Sequence, residues 1–361
     1  MTRRRLALAL PLLLTVLPAA AQDLLIQPQA VVQTAPVPHG ADAADDPAVW
    51  LHPTDPARSM ILGTDKQGGL ISYDMDGRQL QIVSENSKPD NVDVLYGVTL
   101  GGRKFDLAVA ACRSSPGHEG LKFWAINPAT RQMADVTPNN FVPTFGNAQP
   151  YGSGVYHSKK TGKNYAFATN RAGAVEQFEL GDGGTKISAK KVRSLKCSGT
   201  VEGMVNDDEA GIIYVSEEQK GIWAFPAEPD GGKEGKLVIR AGEHGLTPDV
   251  EGVTLYTAAG GKGYIIVSSQ GSNNFKIYNR DGDHAFVGTI DPKEGKIDDV
   301  NDTDGITVTN RPTSKTLSKG CFIVQDGTGP NGKHQNFKVY RWEDIAGDKL
   351  LIDTTAGDPR K

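Results

Sequence analysis

Nine carboxylates and one amide fall where short apolar runs begin or end: Asp45, Asp46, Glu202, Glu218, Asp249, Glu251, Asp298, Asp302 and Asp304, with Gln270. All ten offer oxygen. Close carboxylates raise one another's pKa, so such a set stays ionised mainly when a cation sits among its members. Oxygen-only donors rich in carboxylate suit Ca²⁺, which takes about 6–8 oxygens, better than Mg²⁺. The absence of a His/Cys cluster argues against zinc, copper and iron. Lys66, Arg113, Arg171 and Tyr151 supply the complementary chemistry. Arginine grips phosphate oxygens bidentately and lysine acts as a point charge, so cations beside a carboxylate-held metal suit a phosphate ester. A metal-acidified water is the matching nucleophile. Covalent nucleophile chemistry has little support: no Gly-x-Ser-x-Gly elbow and no Gly-x-x-x-x-Gly-Lys-Ser/Thr loop is present. Asp207, Asp208 and Glu209 fall mid-turn and are expected at the surface.

These residues need elements that bring them together. Val201-Glu202-Gly203-Met204-Val205 and Tyr214-Val215-Ser216-Glu217-Glu218 flank an Asp/Asn-rich turn and read as strand, turn, strand. That hairpin carries Glu202 and Glu218 to one end. The unit recurs at Glu251-Gly252-Val253-Thr254 and Asp304-Gly305-Ile306-Thr307, with tyrosine in the acidic slot at Tyr151-Gly152 and Tyr96-Gly97, and with proline in the glycine slot at Asp46-Pro47. An aromatic keeps step at Tyr73, Trp124, Phe178, Phe225, Tyr278 and Tyr340. Six units at a period of about 50 residues predict an all-β fold, a six-bladed β-propeller with four-stranded antiparallel blades. The second strands should end on one ring of Lys66, Arg113, Arg171, Glu218, Gln270 and Asp326, a face with a basic half and an acidic half. Recurrence at one repeat position marks Glu202, Glu251 and Asp304 as functional rather than as solvated turn residues.

The 361-residue chain carries a net charge of −4 and a pI near 6.0, which implies no attraction to nucleic acid. Residues 1–21 read as a signal peptide, with Arg3–Arg5, the apolar Leu6–Leu17 and the small Ala19-Ala20-Ala21 before Gln22. Residues 22–41 form an N-terminal arm that either adds an outer strand or stays loose, 42–346 the propeller, and 347–361 a ragged tail. No other apolar run is long enough to cross a bilayer, so a soluble protein is expected, secreted or periplasmic, without membrane contact. Cys112, Cys197 and Cys321 form no disulfide framework or zinc motif; one bridge or three buried thiols fit equally.

At this point the residues resemble the β-propeller phytases, the calcium-dependent alkaline phytases of bacteria. The resemblance runs from about Asp42 to Trp342 and is carried by Asp42-Ala43-Ala44-Asp45-Asp46-Pro47, Asn91-Val92-Asp93-Val94, Val201-Glu202-Gly203-Met204, Asp249-Val250-Glu251-Gly252, Ser268-Ser269-Gln270-Gly271 and Asp302-Thr303-Asp304-Gly305. It implies hydrolysis of phytate, myo-inositol hexakisphosphate, to lower inositol phosphates with several Ca²⁺ ions, some structural and some catalytic. It assigns Asp45, Asp46, Glu202, Glu218, Asp249, Glu251, Gln270, Asp298 and Asp304 to calcium, and Lys66, Arg113, Tyr151 and Arg171 to substrate phosphate. Glu202, Glu218, Tyr151 and Asp304 become the catalytic group, around a calcium-bridging water that attacks in line. A monomer acting on this small-molecule substrate is expected. Two departures fall on the phosphate side: Gln67 follows Lys66 where a second basic residue is usual, and Arg171-Ala172 replaces lysine-glutamate. A calcium-stabilised propeller that binds without catalysis, or a calcium-dependent six-bladed lactonase, is the competing reading.

Overall fold

A computed structural model describes residues 23–115, 118–146, 148–329, 332–355 and 357–360. The segment read as a signal peptide, residues 1–21, lies outside them. Six twisted sheets stand around one axis. Their first strands are Ala44–Trp50, Pro89–Leu100, Ser153–His157, Val201–Asp207, Val250–Ala258 and Ile306–Thr309. Each packs against the first strands of both neighbours, and the sixth returns to the first, so the ring closes. Strands two and three of each blade follow antiparallel and radiate outward. No helix among the described residues is long and apolar enough to cross a membrane.

Alternation along these strands sends apolar residues to both faces of each blade, and each face meets the next blade. Six apolar cores result, one per blade junction. The aromatic markers Tyr73, Trp124, Phe178, Phe225, Tyr278 and Tyr340 all sit on third strands and are buried in these cores. They pair across to Ile61, Ala108, Ala166, Ile213, Ile265 and Phe322, one equivalent position of the second strands. The marker therefore keeps true phase with the fold. All three cysteines are free and buried.

Both chain ends close the ring. Val32–Gln33 pairs antiparallel with Asn336–Arg341 and supplies the outer strand of blade 6. Leu24–Ile26 adds a fifth, parallel strand to blade 5. The C-terminal tail is not ragged. Leu351 and Asp353 donate their N–H groups to the Tyr264 and Tyr256 hydroxyls, and the Trp342 indole donates to the Leu351 carbonyl at 2.8 Å. Farther on, Arg360 pairs with buried Asp106 at 2.6 Å and lies over the Tyr96 ring. A cavity of about 290 Å³ inside the ring of first strands reaches Pro359 at that end. The tail looked unpatterned because its partners are hydroxyls and a carboxylate on distant strands, not a repeating apolar face.

Trp342 is fully buried and stacks on Tyr256 at 4.2 Å between ring centroids. Trp342→Ala should cost about 3–5 kcal/mol, the usual penalty for emptying an aromatic site in a packed core. Urea unfolding followed by tryptophan fluorescence will read the shift in midpoint.

Candidate active site

The first strands do not run evenly through the acidic slots. Pairing slips between Ala44 and Pro47, Pro89 and Val92, Val201 and Met204, and Val250 and Val253. Each slip leaves two residues outside the ladder: Asp45-Asp46, Asp90-Asn91, Glu202-Gly203 and Glu251-Gly252. Such bulges re-aim a side chain out of the alternation of the sheet. Glycine follows Glu202, Glu251 and Asp304 because the next blade is too close for a Cβ. An added Cβ would stand 2.6 Å from the Glu251 carbonyl at Gly203, 2.7 Å from the Asp304 carbonyl at Gly252, and 2.4 Å from the Asp46 Cα at Gly305.

Structural equivalence thus defines an inner ring of Asp45, Asp90, Tyr151, Glu202, Glu251 and Asp304. Two of the repeat alignments are corrected by it. In blade 1 the slot is Asp45-Asp46, one residue before Asp46-Pro47. In blade 2 it is Asp90-Asn91, not Tyr96-Gly97, which sits at a second irregularity of the same long strand, between Leu95 and Val98. The intervals explain the miss: Asp45 to Asp90 is 45 residues and Asp90 to Tyr151 is 61, either side of the mean period. Asp90 is the candidate site residue that sequence reasoning overlooked; Asn91-Val92-Asp93-Val94 stands directly after it.

A second ring follows the ends of the second strands: Lys66, Arg113, Arg171, Glu218, Gln270 and, in blade 6, Gly327. Asp326 does not belong to it. It is the last residue of its strand, fully buried, and pairs with Lys338 at 2.9 Å. Asp298 is likewise drawn to Lys338, at 3.0 Å, and joins neither carboxylate group at the axis. Asp207 is no surface residue: it ends a strand and receives both arms of the buried Arg280 guanidinium at 2.6 Å, while Glu209 is exposed and completes that pair. Asp208 accepts the His157 N–H, and burial pushes its carboxyl up to about 6.

The rings meet in an open cleft of about 730 Å³ lined by Lys66, Tyr151, Arg171, Glu218, Asp249, Glu251, Gln270, Asp302 and Asp304. Two groups of carboxylates lie beneath it, Asp45–Asp90–Glu202 and Glu202–Glu218–Glu251, each with oxygens within 4.8 Å of one another. Glu202 belongs to both. Asp46 turns away; it accepts the Val92 N–H at 3.0 Å and lines the cavity inside the ring. Burial, then the charges of Asp45, Glu251, Asp90 and Asp304, raises the Glu202 carboxyl well above its ordinary range. Burial and the Asp304 charge do the same for Glu251. Burial and Asp45 push Asp304 up to about 7, against the pull of Lys66.

The cations do not occupy a separate half of the face. The Lys66 ammonium touches Asp42 at 2.8 Å, Asp304 at 2.9 Å and Asp45 at 3.0 Å. Arg113 pairs with Asp90. Tyr151 lies between two guanidinium groups, Arg171 at 4.2 Å and Arg113 at 5.3 Å from its ring centroid. Burial and the charges of Glu202 and Glu251 push the Tyr151 hydroxyl far above its usual range. Gln270 donates to Asp304, and Gln219 to Asp249. The Gln67 amide is spent on the Gly40 and Asp42 carbonyls, and the Lys196 ammonium rests on the Ala172 carbonyl.

These donors fit a divalent cation. Asp45 Oδ1, Asp90 Oδ2 and Glu251 Oε2 are buried and accept no hydrogen bond. Lone carboxylate oxygens in such a place are costly unless a cation meets them. The all-oxygen set favours a hard ion.

A family model described as Phytase matches residues 6–361. A curated relative, "3-phytase" of Bacillus subtilis (strain 168), is 43% identical over 320 residues, covering 87% of this chain and 83% of the relative. Among solved structures, the PQQ-bound aldose sugar dehydrogenase of Streptomyces coelicolor is similar with a TM-score of 0.47 at 11% identity, over 86% of this chain and 97% of that one. The β-propeller domain of Myceliophteria thermophila Cps50 (Swd1) is similar with a TM-score of 0.46 at 12% identity, over 82% and 83%.

The raised carboxyls give a signed expectation. A carboxyl whose folded pKa exceeds its unfolded value binds more protons when folded, so stability falls as pH rises between the two values. With Asp304 near 7 and an unfolded aspartate near 4, chelator-treated protein should lose thermal stability from about pH 4 to about pH 7. Added calcium, which binds the ionised forms, should stabilise progressively more across the same window. Differential scanning fluorimetry with and without chelator tests both slopes; a midpoint that climbs with pH in chelator would contradict the assignment.

Proposed function

The chain belongs to the phytase family, and from that premise we propose that it is a calcium-dependent phosphoric monoester hydrolase of the 3-phytase type. Its substrate is phytate, taken as the calcium complex and cut to lower inositol phosphates and free phosphate. What supports this most directly is the juxtaposition at one mouth of the channel: carboxylate oxygens without partners stand within reach of Lys66, Arg113, Tyr151 and Arg171.

Asp45, Asp90, Glu202, Glu218, Glu251 and Asp304 would hold calcium, with Asp249 and Gln270 at the rim. Calcium bound there supplies Lewis acidity and neutralises phosphate charge. Arg171 is exposed at the cleft wall and stacked on Tyr151, which orients its fork of donors toward a phosphate. Tyr151 donates its hydroxyl hydrogen to a phosphate oxygen. Glu218, half-buried, with its carboxyl raised by burial and by Asp249, takes a proton from the attacking water. Water adds to phosphorus in line with the ester oxygen, the P–O bond breaks, and the inositol oxygen leaves with a proton from solvent. Arg3–Arg5, Leu6–Leu17 and Ala19–Ala21 support export to the periplasm or beyond, where calcium is plentiful. We read the active form as a monomer.

Purified protein should release phosphate from calcium phytate, and chelation should abolish release. Glu202→Gln removes a charge shared by both carboxylate groups and should lower kcat by roughly a hundredfold or more while circular dichroism stays unchanged. Phosphate release from an aryl phosphate should be much slower, since it lacks the neighbouring phosphates. Equal activity with and without calcium would sink the calcium dependence; no phosphate release in either condition would leave a binding module, and lactone hydrolysis without phosphate release would favour the lactonase.

A further inference from the structure

Lys338 lies on the third strand of blade 6, is fully exposed to neither solvent nor cleft, and has a side-chain accessibility of 0%. Its ammonium is caged by oxygen: Asp326 Oδ2 at 2.9 Å, Asp298 Oδ1 at 3.0 Å, the Asp298 carbonyl at 3.1 Å and the Asp299 carbonyl. A buried ammonium persists only with such compensation, and here two carboxylates and two carbonyls provide it. Three of the four oxygens come from the connector between blades 5 and 6, which continues through Asn301 and Asp302 to Asp304 in the cleft. The grip is reinforced along that connector. Asp326 also accepts the Asn301 N–H, the Asn301 carbonyl accepts Gly327 N–H at 2.8 Å, and the Asp304 N–H donates to the Gln325 side chain at 2.8 Å.

The same third-strand position carries Lys122 in blade 2 and Lys276 in blade 5, both buried. Their ammonium groups bind Asp135 and Asn140, and Thr289, on or beyond the outer strands of their own blades. Lys338 instead reaches back to the connector that enters its blade. We propose that Lys338 is a positioning residue: a built-in cation that clamps the Asp298–Asp304 connector and thereby sets Asp304, with no divalent ion needed at that point. Only the activity arm of this proposal rests on the hydrolase reading above.

The test uses the full mature protein with Lys338→Met, which keeps length and loses charge, and Asp298→Asn, which loosens the cage from its partly exposed side. Hydrogen exchange in chelator should accelerate at residues 299–305 and stay unchanged in blade 3. In calcium, well below either unfolding midpoint, kcat on phytate should drop about tenfold for Lys338→Met with KM within about twofold, the signature of a displaced reacting group rather than of lost binding. Asp298→Asn should move both readouts the same way by a smaller factor. Unchanged exchange in the connector, or equal acceleration in every blade, overturns the proposal, as does an unchanged kcat. If Lys338→Met does not fold, unchanged connector exchange in Asp298→Asn overturns it alone. Wild-type protein inactive on phytate would fault the hydrolase reading and leave the exchange arm to decide this one.

Discussion

Mutual repulsion among five carboxylates at one mouth of a closed ring is the constraint on which the rest of the structure depends. At an effective dielectric near 20, two unit charges about 5 Å apart repel by about 3 kcal/mol, and oxygens of Asp45, Asp90 and Glu202 lie closer than that. Lys66 and Arg113 answer part of it from within. Two built-in cations against five carboxylates leave the mouth negative, so its ionised state calls for further positive charge from solution. The six junction cores hold the ring shut meanwhile. They bury large side chains such as Trp50, Trp124 and Trp342 completely, and the N-terminal strands Leu24–Ile26 and Val32–Gln33 are woven into blades 5 and 6, which fastens the ring against that repulsion.

The local device that concentrates this charge is simple. A regular strand would send successive side chains to alternate blade junctions and none along the axis. The bulges at Glu202 and Glu251 break that alternation, and the glycine after each lets neighbouring first strands approach closely. Acidic residue and glycine are thus one unit: the first supplies the ligand and the second the proximity that makes several ligands converge. Inter-blade hydrogen bonds from Gly252 N–H to the Asp304 carbonyl and from Gly305 N–H to the Asp45 carbonyl, both at 3.0 Å, tie the slots to each other.

Much of this was legible because repetition translates directly into geometry. The aromatic marker and the carboxylate-glycine pairs at Glu202, Glu251 and Asp304 recur in phase, and a ring places equivalent positions side by side. What escaped was whatever departed from the repeat. Blade 2 has unusually long strands, so its slot at Asp90 fell out of register. Blade 6 reaches its ring position with Gly327, which carries no side chain to notice, and the adjacent Asp326 took its place in the reading. Asp298 was grouped with the acidic oxygen donors and given to calcium by the resemblance, and Asp207 was placed at the surface from its turn, whereas their partners Lys338 and Arg280 lie 40 and 73 residues away. No spacing rule reaches that far. The C-terminal tail escaped for the same reason.

Positive charge on this face comes in three grades, and the grades follow burial. Lys338 is sealed and serves only to hold a connector. Lys66 and Arg113 are mostly buried and already committed to aspartates, so they set the potential of the cleft and have few donors to spare. Arg171 is exposed, and among the described residues it makes no ion pair; it lies over the face of Tyr151, and its charge acts on Glu218. A polyanion entering the cleft can therefore recruit Arg171 without breaking an internal pair, while the same anion reaching for Lys66 competes with Asp45 and Asp304. On the proposed reading, a divalent ion held by Asp45 would relieve part of that competition and leave the lysine freer to meet a phosphate. Metal occupancy and phosphate affinity would then be coupled through one ammonium group, without movement of the blades.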